Sequence, residues 1–535
     1  MQTLGAFLDA AVARAPAHEA LAAAPRAEVT ARLDWAALRA ASRQAAKKLL
    51  LAGAGKGTHV GFLCSNRLEW LPIAFGALRL GAVLVPLSTL WKRDELAHAL
   101  AHADVQLLVM LDRFLRHDYV GTLSSIVPEL ADAAPGALRA NRLPALRGVV
   151  LIEGEAPGCA RWSDLPAAVD DAFLDAVEGA VSPTDVATVF FTSGTTAEPK
   201  AVVHAHGALA TAAGGIAGRL GIGPDDAWWG HLPLFWSGGF VLGALATIAG
   251  GGRLVLQEVV DGPSALALLE REGCTIMAGW HQAGPLLEQP DLARHRLRLC
   301  KGTRADPELT ARLLGPGHQA VGCYGMSETA TFVSAARWDD PEPVRLGTFG
   351  RPLENMEIRI VGPATGEPAA PGQEGEIVVR GATLMEGYYR LPRATTFDAE
   401  GFFRTGDLGF IDADGCLHFT GRLKDVIKTA GVNVAASEVE AALLRHPAVQ
   451  AAHVVGVRHP TRGENVAAFV VLRAPDGATS EDIQNFCRES LASYKVPRHV
   501  FVVADADLPR TGSGKVEKTS LRRLAEARQA TGTPF

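Results

Sequence analysis

The stretch TSGTTAEPK, residues 192–200, packs four hydroxyls, one glycine and a closing lysine into nine residues. It directly follows Val189, Phe190 and Phe191, an apolar run that reads as the end of a buried strand. A glycine- and hydroxyl-rich turn behind a strand can aim backbone N–H groups, side-chain hydroxyls and an ammonium at one polyanion. Nucleotide phosphate is the ligand such a turn fits. A polar surface loop is the competing reading of the segment taken alone. The pattern GxxxxGK[ST] is absent, because Lys200 follows Pro199 rather than a glycine. That disfavours a kinase or motor-ATPase phosphate loop.

Outward from this turn, short β-rich runs alternate with helical patterns. Residues 59–63, 106–110, 149–152, 253–257 and 275–278 read as strands, and 68–80 and 264–272 as helices. The alternation predicts an α/β architecture with largely parallel sheets. After about residue 342 the pattern changes. Residues 356–361 and 376–380 are short strands between Gly/Pro turns, which predicts a small barrel or antiparallel sheet. The Ala-rich stretch 132–144 reads as a surface excursion. From about residue 425 a separate set follows: helix 437–444, strand 466–472, helix 480–491 and strand 500–503. It predicts a small α+β domain, with no Pro/Ser-rich linker before it.

A chain of 535 residues exceeds one ordinary core, so at least two domains are expected. Apolar residues make up 48% and charged residues 21%, which argues for a globular fold and against disorder. The net charge is −6 and there is no dense Lys/Arg stripe, so nucleic acid is not an expected partner. The seven cysteines (Cys64, Cys159, Cys274, Cys300, Cys323, Cys416, Cys487) are scattered, without a C-x-x-C pair. Reduced thiols in a cytoplasmic protein fit that pattern, and a structural zinc site does not. Leu4, Phe7, Leu8 and Val12 recur at helical spacing, with Asp9 and Arg14 between and after them, which predicts a packed amphipathic helix rather than a signal peptide. Residues 227–252 carry no Asp, Glu, Lys or Arg, about the length of a membrane span. His231, Pro233 and many glycines favour a buried strand–loop–helix that lines a pocket, and no transmembrane segment is expected.

Further glycine-punctuated segments accompany the first. YGMSET (324–329) sets a ring, a hydroxyl and a carboxylate within a few residues, and RTGDLGFID (404–412) puts Asp407 in a glycine turn. GRLKDVIKTAGVNV (421–434) carries Arg422, Lys424, Asp425 and Lys428; PRTGSGKVEK (509–518) is a loop that presents Lys515. Each alone reads equally as a surface turn. In this order and at these wide spacings they resemble the adenylate-forming superfamily of acyl-CoA synthetases, peptide-synthetase adenylation domains and luciferases. LGAVLVPLSTLW (80–91) and GEIVVRGATLMEGYY (375–389) also look like family segments, so the resemblance covers nearly the whole chain. It implies an α/β fold with a large N-terminal adenylation domain (1–423), including a small β-barrel-like part, and a small mobile α+β C-terminal domain (424–535) hinged at Lys424.

The chemistry of the residues agrees. Adenylation joins a carboxylate and ATP, so the protein must neutralise charge and hold geometry. Thr192, Ser193, Gly194, Thr195, Thr196 and Lys200 can hold the β- and γ-phosphates. Glu328 is a hard oxygen ligand for Mg²⁺, with Thr195 and Ser327 near the metal and the α-phosphate. Tyr324 can stack on adenine beside Gly325 and Met326, Asp407 can accept both ribose hydroxyls, and Arg422 can donate to the ribose side. Lys515 can bridge the substrate carboxylate and the α-phosphate; the resemblance makes it the catalytic lysine of the first half-reaction. Lys428 and Asn433 match positions that approach the carboxylate or phosphate, with a solvated surface lysine the competing reading of Lys428. Three departures from the family pattern remove no functional group: Ala197 for glycine, Ser327 for threonine, and Ala436 for proline.

The acid is expected around PLFWSGGF (233–240), with Trp236, Ser237, Gly238 and Gly239, and around GWHQ (279–282) and KGTR (301–304), with Trp280, His281, Gly302, Thr303 and Arg304. Amino-acid-activating members carry an aspartate in the first segment, and none is present. Trp236 fills or gates the pocket, or simply packs the core. An apolar acid (fatty, alicyclic or aromatic) is the expected substrate, with ATP, Mg²⁺ and coenzyme A. An acyl-CoA synthetase is the leading reading. A free-standing enzyme that loads a separate carrier protein, a luciferase-like oxygenase, and a non-enzymatic nucleotide or acyl-CoA sensor are the alternatives.

Overall fold

The computed structural model describes residues 1–192, 200–278, 301–303, 317–429, 432–459, 462–474, 477–491, 494–511 and 514–531. These fall into two compact units, one from 1–357 with 379–402 and the other from 358–378 with 403 onward.

Two large sheets dominate the first unit, beside a three-stranded and a two-stranded one. The eight-stranded sheet runs Gly387–Tyr388, Lys200–Ala205, Val186–Thr192, Val83–Pro86, His59–Leu63, Leu107–Met110, Gly148–Leu151, Ala160–Arg161. From Val186–Thr192 onward its strands pair parallel, while the first two add antiparallel at one edge. Strands such as VLVP and LLVM are buried at every residue. Such unbroken apolar runs are what a parallel sheet covered on both faces demands. The seven-stranded sheet runs Gln319–Val321, Lys301–Thr303, Ile276–Met277, Ala227–Gly230, Arg253–Gln257, Glu19–Ala24, Ala31–Asp34, with only the last strand antiparallel.

Helix Trp70–Arg79 is buried along its whole length. It lies so close to helix Trp35–Leu51 that a Cβ on Gly76 would stand 2.7 Å from the Ala45 Cβ and 2.8 Å from the Ala46 nitrogen. The helix closes on Arg79, which is fully buried yet satisfied: it meets Asp9 at 2.6 Å and Glu178 at 2.9 Å, and donates to Ser42 at 2.9 Å. Asp9 comes from the amphipathic helix Leu4–Arg14, whose Leu4, Phe7, Leu8 and Ala11 are buried. The charge-free run 227–252 forms strand Ala227–Gly230, a π-helical segment Gly238–Leu245 and helix Ala246–Gly250, largely buried. Among the described residues no helix is long and apolar enough to cross a membrane.

The second unit carries most of a four-stranded sheet in the order Met356–Val361, Gly375–Gly381, Phe403–Ile411, Leu417–Arg422. Its other sheet is built on Gly463–Leu472, which pairs antiparallel with Val449–His459 and parallel with His499–Val502. Alternation along the long strands serves two cores. Val454, Val466, Ala468 and Val470 face helices Ala436–Leu443 and Ser480–Ser490, while Val455, Val457, Ala467 and Phe469 face helix Lys518–Thr531. The fold is mixed α/β with a smaller C-terminal α+β part, as the sequence predicts. Ala436 opens its helix at the first position, where proline is favoured and alanine fits equally.

Candidate active site

Strands Val186–Thr192 and Lys200–Ala205 run antiparallel with Thr192 opposite Lys200, and the Thr192 hydroxyl lies 3.4 Å from the Lys200 carbonyl. The TSGTTAEPK segment therefore links the two strands of a hairpin. Ser193, Gly194, Thr195, Thr196 and Ala197 lie outside the described residues. The exposed Lys200 holds its Nζ 4.7 Å from the centre of the Tyr388 ring.

The 324–329 segment folds from strand Cys323–Tyr324 into the tight turn Ser327–Thr329. Gly325 is obligatory, because a Cβ there would stand 1.6 Å from the Thr331 carbonyl oxygen. Ala330 and Thr331 are held at φ +50° and +85°, backbone conformations that cost energy without glycine and concentrate at functional sites. Four groups fix what the turn presents. His204 Nε2 lies 2.6 Å from the Ser327 carbonyl. The hydroxyls of Ser237 and Ser327 are 3.1 Å apart. The Tyr388 hydroxyl donates to Glu328 Oε1 at 2.8 Å, and the Met385 N–H donates to the Glu328 carbonyl at 2.8 Å. Burial pushes the His204 pKa down to about 4, so the ring is neutral and its Nε2–H is the donor to Ser327. Burial, and then the charge on Glu328, raise the Tyr388 pKa and keep its hydroxyl protonated. Tyr324 is buried and Ser327 half-buried.

The segment that leads into PLFWSGGF (233–240) is tied down by Asn66. This buried side chain donates to the carbonyls of Gly230 at 3.0 Å and Leu232 at 2.9 Å, and accepts the Leu234 N–H at 2.9 Å. One amide thereby binds three buried backbone groups at and just beyond the end of strand Ala227–Gly230. At Gly239 a Cβ would fall 2.1 Å from the Pro233 carbonyl oxygen, so only glycine lets the π-helical segment start there. Trp236 is half-buried and meets Phe235 edge-on at 5.4 Å. Gly302 and Thr303 lie on strand Lys301–Thr303; Gly302 has φ +152°, and a Cβ there would meet the Met277 carbonyl oxygen at 2.3 Å. Lys301, read as part of a pocket segment, is structural: its ammonium bonds Asp226 at 2.7 Å and the Gly221 carbonyl at 2.6 Å. Trp280, His281 and Arg304 lie outside the described residues.

The second unit gathers the remaining candidates. In the hairpin of Phe403–Ile411 with Leu417–Arg422, Asp407 faces Arg422, and Arg422 Nε lies 3.1 Å from Asp407 Oδ1. Gly406 takes φ +70°, and its N–H donates to the buried Glu376 at 3.2 Å, which sets the turn. Thr405 accepts the Asp407 N–H at 3.0 Å and donates to the Ile377 carbonyl at 2.7 Å. Lys424 sits in the single turn Leu423–Asp425, with its pKa lowered by partial burial and then by Arg422. Lys515 is presented by a tight turn in which the Thr511 N–H donates to the Lys515 carbonyl at 2.8 Å. Its accessible area is large, yet protein atoms crowd the ammonium. That crowding, and then the charge of Arg422, lower its pKa, while Asp407 pulls it up. Asp407, Arg422 and Lys515 thus share one electrostatic neighbourhood. Lys428 and Asn433 are opposite one another in the hairpin Val426–Thr429 and Val432–Ala435.

A family model described as AMP-binding enzyme matches residues 8–389, and one described as AMP-binding enzyme C-terminal domain matches residues 438–515. The chain belongs to the AMP-binding enzyme family. It is 32% identical to a putative acyl-CoA synthetase, YngI, of Bacillus subtilis, with 97% of this chain and 96% of that protein covered. It is 30% identical to the mitochondrial medium-chain acyl-CoA ligase ACSF2 of Rattus norvegicus, over 98% of this chain and 88% of the other. Its fold matches ATP-bound MatB from Rhodopseudomonas palustris with a TM-score of 0.82, at 25% identity, over 98% and 99% of the two chains. This member of the family is an enzyme of the AMP-forming acyl-CoA synthetase class.

Among the described residues no cluster of three or more His, Cys, Asp or Glu side chains could hold a metal ion. A single carboxylate suits Mg²⁺, which keeps several waters and completes its shell with substrate phosphates. Glu328 fits that demand. Sequence reasoning missed Tyr388, His204 and Asn66. Tyr388 lay inside a recognised family segment, but nothing in the sequence marks it as the partner of Glu328, 60 residues away.

Proposed function

We propose that this enzyme activates an apolar carboxylic acid (fatty, alicyclic or aromatic) with ATP and passes the acyl group to the thiol of coenzyme A. A carboxylate oxygen attacks the α-phosphorus, the bond to pyrophosphate breaks, and an acyl-adenylate forms. The CoA sulfur, as thiolate, then attacks the acyl carbonyl, and AMP leaves. The observation that carries this reading is the 324–329 turn. There the carboxylate of Glu328, the strand that bears Lys200 and Ser237 of the acid-binding segment converge through direct hydrogen bonds and a cation–ring contact.

Each residue then has a bounded task. Lys200 and the preceding loop hold the β- and γ-phosphates. Tyr324 faces adenine, and Asp407 with Arg422 takes the ribose. Lys515 meets the acid carboxylate and the α-phosphate, where its positive charge offsets two anions brought together. Mg²⁺, held by Glu328, supplies charge compensation on the phosphates when bound. Trp236, Gly238 and Gly239 shape the acid site, and the lack of any charged side chain in 227–252 supports an apolar acid. The small C-terminal domain, 424–535, pivots at Lys424 between the two half-reactions.

A pyrophosphate-release screen over fatty, alicyclic, aromatic and amino acids, with and without CoA, tests this reading. Pyrophosphate is expected with apolar acids, and AMP and the CoA thioester once CoA is added. Preference for amino acids, or transfer to a carrier-protein thiol and none to CoA, would overturn it.

A further inference from the structure

The short strand Gly387–Tyr388 lies against Lys200–Ala205, with Tyr388 opposite Val202 and Gly387 opposite Val203. Backbone bonds hold it on both sides: the Glu386 N–H donates to the Val203 carbonyl and the Tyr389 N–H to the Ala201 carbonyl, each at 2.8 Å. The same segment grips the 324–329 turn through the Met385 N–H on the Glu328 carbonyl. From this clamped backbone one half-buried side chain reaches two candidate site residues at once. Its hydroxyl donates to Glu328 Oε1 at 2.8 Å, and its ring face receives the Lys200 ammonium at 4.7 Å.

A carboxylate that holds a metal through one oxygen needs its rotamer fixed. A partner on the other oxygen does this, and losing such a partner typically costs about 10- to 100-fold in metal affinity. A lysine on a flexible stem needs a resting place that does not neutralise it. An aromatic face supplies one, because it attracts the ammonium and leaves its charge for phosphate. We infer that Tyr388 is a positioning residue that sets Glu328 through its hydroxyl and Lys200 through its ring, so that one side chain aligns the divalent-cation ligand with the phosphate-binding ammonium. The inference rests on the proposed roles of Glu328 and Lys200. It makes the two halves of the side chain separable: the hydroxyl governs the cation, and the ring governs the phosphates.

The test uses the full chain and the variants Tyr388→Phe, Tyr388→Leu and Glu328→Gln. Mn²⁺ binding in the presence of α,β-methylene-ATP is followed by electron paramagnetic resonance, and metal-free nucleotide binding by calorimetry. Tyr388→Phe is expected to weaken Mn²⁺ about tenfold and leave metal-free nucleotide binding within about twofold. Tyr388→Leu is expected to weaken both. Transfer to CoA from supplied acyl-adenylate, which needs neither the cation nor pyrophosphate, should stay within about twofold of the parent for both tyrosine variants. If Tyr388→Phe binds Mn²⁺ like the parent while Glu328→Gln does not, the inference about Tyr388 is wrong and the metal role of Glu328 stands. If Glu328→Gln also binds Mn²⁺ like the parent, the metal role itself fails. Equal losses in nucleotide binding, Mn²⁺ binding and acyl transfer would mean that Tyr388 only supports the fold.

Discussion

Asp407 and Arg422 face each other across one hairpin, with 3.1 Å between Oδ1 and Nε, and both act on the ammonium of Lys515 in opposite directions. Arg422 lowers the Lys515 pKa and Asp407 raises it, beneath the larger downward effect of burial. In the proposed adenylation step Lys515 acts as a charged ammonium, so the rate is expected to fall as pH rises through that pKa, which lies below the usual lysine range. Arg422→Gln should move this alkaline limb to higher pH, and Asp407→Asn should move it lower. The pH profile of pyrophosphate release at saturating ATP and acid checks both. Shifts in the same direction would break the proposed coupling.

Lys515 itself should divide the two half-reactions. Its charge is asked for at the carboxylate and the α-phosphate, and the thiol attack on a finished adenylate has no use for it there. Lys515→Ala is expected to lower adenylate formation at least a hundredfold and leave thioester formation from supplied acyl-adenylate within a fewfold. Equal loss in both steps, measured by single-turnover kinetics, would show that the lysine serves the whole site.

Buried neutral histidines tie stability to pH. His204 and His206 are buried, and burial depresses both pKa values from 6.5 to about 4. In the unfolded chain each binds its proton near pH 6.5, so between about 6.5 and 4 the unfolded state holds more protons. Stability is present above the unfolded value and is lost as pH falls through this window, by about 1.4 kcal/mol per pH unit for each histidine. His206 accepts the Leu4 N–H at 3.3 Å, a bond that glutamine can replace. His206→Gln should therefore flatten the slope by up to about 1.4 kcal/mol per pH unit in urea titrations at pH 7, 6 and 5. An unchanged slope would mean that the ring is protonated in the fold.

How far the sequence carried can be read from particular residues. Strands His59–Leu63, Arg253–Gln257 and Met356–Val361 match their predicted limits, the first two as largely apolar runs and the third as an alternating one, each between turn residues. The helix predicted over 68–80 forms at Trp70–Arg79, shortened at its ends where no side-chain cap sets the start. Strand Lys200–Ala205 was not predicted; its pairing with Val186–Thr192 across the glycine- and hydroxyl-rich turn is what reveals it. In the candidate site, charges and hydroxyls could be singled out because the proposed chemistry selects their type. Asn66 was not, since its partners lie 164 to 168 residues away and only tertiary packing chooses them. Within KGTR the Lys301 side chain is equally hard to place from sequence, since its partner Asp226, 2.7 Å away, lies 75 residues earlier.

Asn66 predicts a selective loss. Asn66→Ala would leave the Gly230 and Leu232 carbonyls and the Leu234 N–H without their partner in a buried place, at about 1–3 kcal/mol for each group left unsatisfied. The slack falls on the segment that leads to Trp236. The expected result is a fall of at least about 2 kcal/mol in stability and a raised KM for the acid, with the KM for ATP unchanged. Asn66→Asp keeps an acceptor for Leu234 but sets a carboxylate against two carbonyls, so it should do no better. A parallel rise in both KM values would place the damage in the fold at large.

Trp236 is the residue whose size is expected to choose the acid. It is half-buried, braced edge-on by Phe235, and followed after Ser237 by Gly238, where a Cβ would meet nothing closer than 3.7 Å; the space expected beside Gly239 is filled by the Pro233 backbone. The adjoining Ser237 touches Ser327, so the indole starts one residue from the turn that holds Glu328. Removing the ring by Trp236→Gly opens a volume that a longer or branched acid can occupy, and a small acid loses its contact. Large-to-small changes at such sites cost about 3–5 kcal/mol when nothing refills the space. A bulky acid that refills it should recover part of that loss, so the ratio of kcat/KM for bulky over small acids should rise at least tenfold. The comparison is made across a homologous series of acids at fixed ATP and CoA. A uniform drop with an unchanged ratio would assign Trp236 to the core.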